Sequence, residues 1–310
     1  MRGVRVFVAI FALLVLAGGT IAYAGSTHHD KPNKPDRSGT DATVVATTTS
    51  MTSRALVESR CPSGQQALSG GALATGSQAE VNTKGSEPLG NSSGKPKSWY
   101  ADVGSAIGVA KTFKVFAVCS KHNDVKIETK LFPVGDDGSA TVSCKGASRA
   151  VGGGAFYNTS AGNAGVLRLS SDGPLDSTGE ISQTKTGDVA KSWFVAVNNP
   201  TGPAFNMTAY VICSRASKAK LVVTPFQVDG DNGVGADRVG QVAPCPRGKR
   251  ALGGGVEPVA SITNALISSG PLDSSLTVSG TKTGDIARAW YGSYESISED
   301  ADVKTLAICG

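Results

Sequence analysis

The sequence predicts an all-β protein of three homologous disulfide-closed β units, in tandem or in a pseudo-threefold, prism-like arrangement. Three observations carry this. Short runs of Val, Ile, Thr and aromatic residues are broken by Gly, Asn, Asp and Pro, and no long segment shows helical periodicity. The three tryptophans of the chain stand in one phrase written three times: Lys97-Ser98-Trp99-Tyr100, Lys191-Ser192-Trp193-Phe194 and Arg288-Ala289-Trp290-Tyr291. Each tryptophan is followed by a cysteine, Cys119, Cys213 and Cys309, at gaps of 20, 20 and 19 residues.

The chain opens on a basic pair, Arg2 and Arg5, and an apolar run from Val6 to Leu16. Gly18, Gly19 and Thr20 break that run, and Ala22-Tyr23-Ala24 supplies the small-x-small pattern that a signal peptidase reads. Residues 1–24 are therefore expected to be a signal peptide cleaved after Ala24, with an uncleaved anchor as the alternative. The membrane is then met only through this segment before cleavage, and the mature protein is secreted. Residues 25–53 read as a flexible Pro- and Thr-rich spacer, too polar to offset the cost of ordering, although Thr43 to Thr52, with Val44 and Val45, has the composition to begin a strand. His28-His29 lacks the three or four fixed ligands of a metal site.

Charge excludes a nucleic-acid binder. The formal +5 falls to about +3 without Arg2 and Arg5, and no long Lys/Arg cluster exists. Six cysteines in an exported chain read as disulfides, for which fifteen connectivities exist. The repeat selects Cys61–Cys119, Cys144–Cys213 and Cys245–Cys309, one bridge closing each unit. The units are expected at 54–135, 136–230 and 231–310.

Each unit has four parts. The first is an opening block, Cys61-Pro62-Ser63-Gly64 through Gly70-Gly71, or Cys245-Pro246-Arg247-Gly248 through Gly253-Gly254-Gly255. The second unit keeps Cys144 and Gly152-Gly153-Gly154 but lacks the proline. Pro-x-Gly is turn chemistry, and the triple glycine marks a bulge or close backbone packing; it lacks the sequence of a phosphate cradle. The second part ends in a Pro turn, Gly173-Pro174-Leu175-Asp176 or Gly270-Pro271-Leu272-Asp273. The third is the tryptophan strand, preceded in two units by Thr-Lys-Thr-Gly-Asp. Alternation puts Trp99 with Ala101 and Val103, and Trp193 with Val195 and Val197, on an apolar face. Trp99, Trp193 and Trp290 are therefore core positions, while Tyr100, Phe194 and Tyr291 face the other way, half exposed. Lys97, Lys191 and Arg288 stand two residues before each tryptophan, where they could lie over the indole. The fourth is an alternating strand ending in the closing cysteine. An extra strand follows each of the first two units, leading to the acidic turns 135–138 and 229–233, which read as hairpin turns; the second turn, Asp229 to Gly233, misses the calcium-loop pattern.

Catalysis has little support. His122 with Asp124 is the one pairing on which a serine triad could be built, without a Gly-x-Ser-x-Gly elbow, and no acid recurs in all three units. No catalytic residue, metal or cofactor is expected. What recurs is Cys, Gly, Trp, Tyr/Phe and a cation, which are packing and binding residue types.

The string Cys-Pro-x-Gly-x-x-Ala-Leu-Gly-Gly-Gly at Cys245 and its looser copies, followed by Trp and an alternating strand ending in Cys, resembles a module of secreted actinobacterial proteins. It is also similar to terminal domains of bacterial collagen-like surface proteins. The likeness spans Cys61 to Cys309 and implies an extracellular structural or adhesive role. The expected function is a secreted, non-catalytic structural or binding protein, with an extracellular glycan or protein as partner, met by Tyr100, Phe194 and Tyr291 with Lys97, Lys191 and Arg288 at the strand starts. A secreted hydrolase with a single cleft, and a protease inhibitor presenting a Gly-Pro-Leu-Asp loop, are the competing readings.

Overall fold

The structure, a computed structural model, describes residues 41–75, 81–90, 94–105, 110–121, 124–157, 167–200, 202–230, 238–259, 265–296 and 299–310. The expected signal peptide, His28-His29, His122 and most of the second acidic turn lie outside them. The described residues form β-strands and turns, without a helix.

The first unit contributes β1 (Thr43–Met51), β2 (Ala55–Arg60), β3 (Gln66–Thr75), β4 (Val81–Gly90), β5 (Pro96–Ser105) and β6 (Lys111–Ser120). The second contributes β7 (Lys126–Val134), β8 (Asp137–Ser143), β9 (Arg149–Tyr157), β10 (Arg168–Leu175), β11 (Ser192–Asn198) and β12 (Phe205–Ser214). The third contributes β13 (Lys220–Val228), β14 (Arg238–Pro244), β15 (Ala251–Pro258), β16 (Ala265–Leu272), β17 (Ala289–Glu295) and β18 (Ala301–Cys309).

Three antiparallel six-stranded sheets result, ordered β1-β6-β3-β16-β17-β14, β7-β12-β9-β4-β5-β2 and β13-β18-β15-β10-β11-β8. Each takes the first, sixth and third strands of one unit and the fourth, fifth and second of another. The junctions are equivalent to the residue: Ser269 opposite Ala72, Ser86 opposite Ala155, Asp172 opposite Val256. Every sheet therefore joins strands of two units, which fits the pseudo-threefold arrangement better than three separate units in tandem. A single apolar core joins all three tryptophans, with Leu68, Val151 and Leu252 among them.

Two expectations are corrected. Residues 25–53 are not spacer throughout, because β1 pairs with β6 from Thr43–Cys119 to Met51–Lys111. Threonine is a strand former as well as a polar residue, and Val44 is fully buried. The unit boundaries also move by one strand: the extra strands β7 and β13 pair with β12 and β18, so each opens the unit that follows. The acidic turn 135–138 is accordingly a corner and not a hairpin turn, since β7 and β8 lie in different sheets.

The three disulfides form as the repeat requires, each with Cα atoms 5.6 Å apart. The opening turn survives the loss of proline in the second unit. Gln65, Ser148 and Lys249 each donate to the carbonyl three residues back. Gly64 and Gly248 supply a positive φ at the third position of that turn, and Gly146 supplies it at the second.

The triple glycine and the tryptophan explain each other. A Cβ on Gly70, Gly153 or Gly254, the middle residue, would overlap the indole of Trp99, Trp193 or Trp290 in the same unit. The indole lies flat on bare backbone, and all three tryptophans are at most 2% exposed. One residue later, a Cβ on Gly71 or Gly255 would overlap the carbonyl oxygen of Ser269 or Asp172 across the sheet junction. One residue earlier, the units meet each other. Bulges at Leu68, Val151 and Leu252 turn these carbonyls inward. Ser69 Oγ donates to Leu252 O at 2.5 Å, Gly152 abuts Leu68 O, and Gly253 abuts Val151 O. This three-membered ring marks the pseudo-threefold axis.

Candidate binding surface

Tyr100, Phe194 and Tyr291 occupy equivalent strand positions and are half-buried. Their surroundings differ. Tyr100 pairs with Glu58 across β2 and its hydroxyl hydrogen-bonds that carboxylate. Phe194 stands between Thr141 and Gly173. Tyr291 lies across Gly240 and packs beside Val242 in a satellite apolar cluster. The backbone repeats these three positions, but the side chains around them do not repeat one site.

The cations before the tryptophans serve the opening turn. Lys191 Nζ donates to Gly146 O at 3.1 Å and to Ser148 O at 2.9 Å, and Arg288 donates to Lys249 O at 2.9 Å. These contacts replace the expected stacking on the indole; Lys97 is exposed. Arg54, which sequence reasoning did not single out, lies over an aromatic ring, 4.8 Å from the centroid of Tyr157. It also pairs with the buried Asp102, which in addition accepts the Tyr157 hydroxyl. Asp124, the acid of the paper triad, accepts from Ser214 Oγ, Arg215 N and Ala216 N, a structural cap.

The informative asymmetry lies in the loops. In the third unit, residues 273–288 cross the sheet and close over β6 and β1. Asp273 and Asp176 are turn formers, each accepting from the backbone two residues on. Lys114 Nζ donates to the carbonyls of Val278, Ser279 and Thr281 at 2.9–3.2 Å. Val44 exchanges backbone bonds with Asp285 and Gly284, and Thr283 Oγ1 bonds Ala46 N and O. Beneath the loop, Val44, Leu73 and Phe116 pack with Leu272, Ala287 and Ala289. The second unit repeats this over β18 and β13. Lys304 Nζ donates to the carbonyls of Ile181, Ser182 and Thr184, Leu221 exchanges bonds with Asp188 and Gly187, and Thr186 Oγ1 bonds Val223 N. Lys220 Nζ adds a bond to Gly187 O at 2.8 Å. The Thr-Lys-Thr-Gly-Asp string is thus an edge cap.

The first unit has only residues 91–95 between β4 and β5, too short for this loop. The strand it would cap is β7. Lys126, the counterpart of Lys220, is exposed, and Thr208 replaces the anchoring lysine. By register the covered residues Val44 and Phe116 correspond to Ile127 and Tyr210. Phe116 and Leu306 are at most 1% exposed, whereas Tyr210 and Ile127 are half-buried. Leu131, on the same edge, is 65% exposed, the largest value among the large apolar side chains described. Ile127, Thr129, Leu131, Thr208 and Tyr210 form a sheet face and edge that two of the three sheets keep covered. Sequence reasoning missed it; the cue was the absence of Thr-Lys-Thr-Gly-Asp from the first unit.

Two buried carboxyls also escaped the sequence reading, because neither recurs in every unit. Asp172 accepts from Trp193 Nε1 at 2.6 Å, and burial pushes its carboxyl up to about 7. Glu257 accepts from Ser171 Oγ, and burial raises it well above the ordinary carboxylate range. Both lie in packed interior. In the third unit Ser269 Oγ fills the role of Asp172, accepting from Trp290 Nε1 at 2.8 Å, so the acid is an alternative indole acceptor. Its folded pKa exceeds the unfolded value near 3.8. Its contribution is therefore fully present below about pH 4 and is lost as pH rises to about 7, a fall on the order of 4 kcal/mol. Asp172→Ser is expected to remove that share of the slope and to stabilise the protein at pH 7. Denaturant midpoints at about pH 4, 5.5 and 7 check it, and a variant with the wild-type slope would contradict it.

A shallow cleft of about 450 Å³ lies between β13 and β18 beside Pro225, Phe226 and Val259. Its polar groups are engaged, Gln227 with Asp302 at 3.1 Å and Lys304 with the loop carbonyls. Among the described residues no group of three or more His, Cys, Asp and Glu side chains could hold a metal ion. No family model and no curated protein sequence matches this chain.

Proposed function

We propose that the chain is a secreted, non-catalytic structural or binding protein of the cell surface or extracellular space, and that it binds through the face of β7 and β12 that no described loop covers. The observation that supports this is the broken pseudo-symmetry. Two sheets spend a 16-residue loop, 176–191 or 273–288, on covering this face, and the third presents Ile127, Leu131 and Tyr210 in its place. A flat apolar and aromatic strip bordered by Thr129, Thr208 and Lys126 suits an extended glycan or protein laid along it. Three disulfides are compatible with the oxidising extracellular compartment, and the resemblance to secreted surface modules points the same way.

The test is retention of the protein on cell-wall glycans and on extracellular proteins. Tyr210→Ala with Leu131→Ser is expected to lower retention at least tenfold, while the triple change of Tyr100, Phe194 and Tyr291 to Ala, folded by circular dichroism, lowers it less. Equal retention of the Tyr210/Leu131 variant and the wild type would move the site elsewhere.

A further inference from the structure

The bare edge of β7 carries a second consequence, which does not depend on the ligand of the face. The hydrogen-bonding direction of this edge follows from its covered equivalents. Val44 and Ala46 in β1, and Leu221 and Val223 in β13, turn their N–H and C=O outward to the capping loop. By register these are Ile127 and Thr129 in β7, so Ile127, Thr129 and Leu131 turn their backbone groups away from β12. An exposed row of such groups is a template for another strand.

We propose that the occupant is β7 of a second copy, paired antiparallel about a twofold axis at Thr129. Only registers that set outward residues opposite outward residues can form the ladder. The register centred on Thr129 does so, and it matches the side chains from Ile127 to Leu131. Thr129 meets its own counterpart. Ile127 stands opposite Leu131 of the second copy, and Leu131 opposite Ile127, which covers the most exposed large apolar side chain described. On the other face Glu128 stands opposite Lys130, and Lys130 opposite Glu128. Lysines on an edge strand ordinarily keep copies apart; here each meets a carboxylate. Shifting the centre to Leu131 loses the charge pairing, setting Glu128 opposite Val134 and Lys130 opposite Phe132; shifting it to Ile127 sets Glu128 opposite Lys126 but pairs only residues 126–128 of the strand and leaves Leu131 beyond the ladder. The ladder would contain about six main-chain hydrogen bonds, and it ends where Pro133 offers no N–H. Two six-stranded sheets become one of twelve strands, with the two uncovered faces side by side, so a ligand spanning both would gain avidity.

The dimer is small and is expected to be weak, with a dissociation constant on the order of 10–100 μM, reached without new pockets. Sedimentation velocity on natively purified protein across that range reads it. Lys130→Glu places four like charges at the centre and is expected to weaken association at least tenfold. Glu128→Lys does the same; among the described residues Glu128 otherwise pairs with the exposed Lys145. The double change Glu128→Lys with Lys130→Glu restores opposite pairs and is expected to return association to within threefold of wild type. Circular dichroism confirms that all three variants are folded. A wild type that stays monomeric to about 1 mM overturns the proposal, even if the edge captures an extended peptide such as Thr-Lys-Thr-Gly-Asp-Val. A dimer indifferent to both single reversals overturns it as well, by placing the interface elsewhere. Weakening by each single reversal without recovery in the double variant rejects the Thr129 register.

Discussion

Gly254→Ala is expected to cost the protein about 3 kcal/mol or more, although it adds one methyl group. Overpacking a well-filled interior ordinarily costs 1–3 kcal/mol, and here nothing can move aside. The added Cβ would overlap Leu306 O, a ladder carbonyl, and Trp290 Cγ, with Trp290 Cδ2 at 2.7 Å. The indole is fully buried and its Nε1 is tied to Ser269. The control is Gly135→Ala. No atom lies within 4 Å of a Cβ there and no positive φ is required, so the change is expected to stay within about 0.5 kcal/mol. The mechanism is tested by a double-mutant cycle. If the cost comes from the indole, Trp290→Ala makes room by removing Cγ and the whole ring, and Gly254→Ala with Trp290→Ala is less destabilised than the sum of the single changes. Strict additivity in chemical denaturation would show that glycine serves some purpose other than seating the ring.

That pairing bears on how much of the fold was legible. Strand alternation and the cysteine spacing identified an all-β fold, the bridges and the buried face of each tryptophan, because those follow from local periodicity and the repeat. The triple glycine was legible as a place of close approach. Its three distinct neighbours, the axis, the indole and the next unit's strand, were not, because all three contacts are long-range. The same limit explains the shifted boundaries. Cysteines bracket a covalent unit, but β7 and β13 belong to the sheet strand they pair with, which sequence order does not reveal. Lys191 and Arg288 recur for a reason the sequence could state only as position; their partners are turn carbonyls, which any residue type supplies. The candidate surface was least legible. It arises from a segment that one unit lacks, and a reading built on what recurs passes over what is missing. Its residues, Ile127, Leu131 and Tyr210, follow ordinary strand alternation and become distinctive only beside Val44, Phe116 and Leu306, which the loops cover.

Gly152→Ser is the second change expected to be severe, and it tests whether the three units share an axis. At this position the first unit has Ser69 and the third Gly253. A Cβ on Gly152 would overlap Leu68 O and lie 2.7 Å from Ser69 Cβ, and one on Gly253 would lie 3.1 Å from the same atom. The space around the axis therefore holds one side chain, and Ser69 occupies it, its hydroxyl closing the ring on Leu252 O. A second serine has no room, and a loss of about 2–3 kcal/mol is expected. Ser69→Gly alone removes one buried hydrogen bond and adds backbone freedom, at about 1–2 kcal/mol. If the ring is a true pseudo-threefold, the two changes together move the serine one step around it: removing Ser69 Cβ relieves one of its two overlaps, and Leu68 O alone has then to draw back. Ser69→Gly with Gly152→Ser is then expected to be more stable than Gly152→Ser alone, although a second mutation has been added to a destabilised protein. Two independent sites would instead sum their losses, and a double variant less stable than Gly152→Ser would show that the three bulges do not share one space.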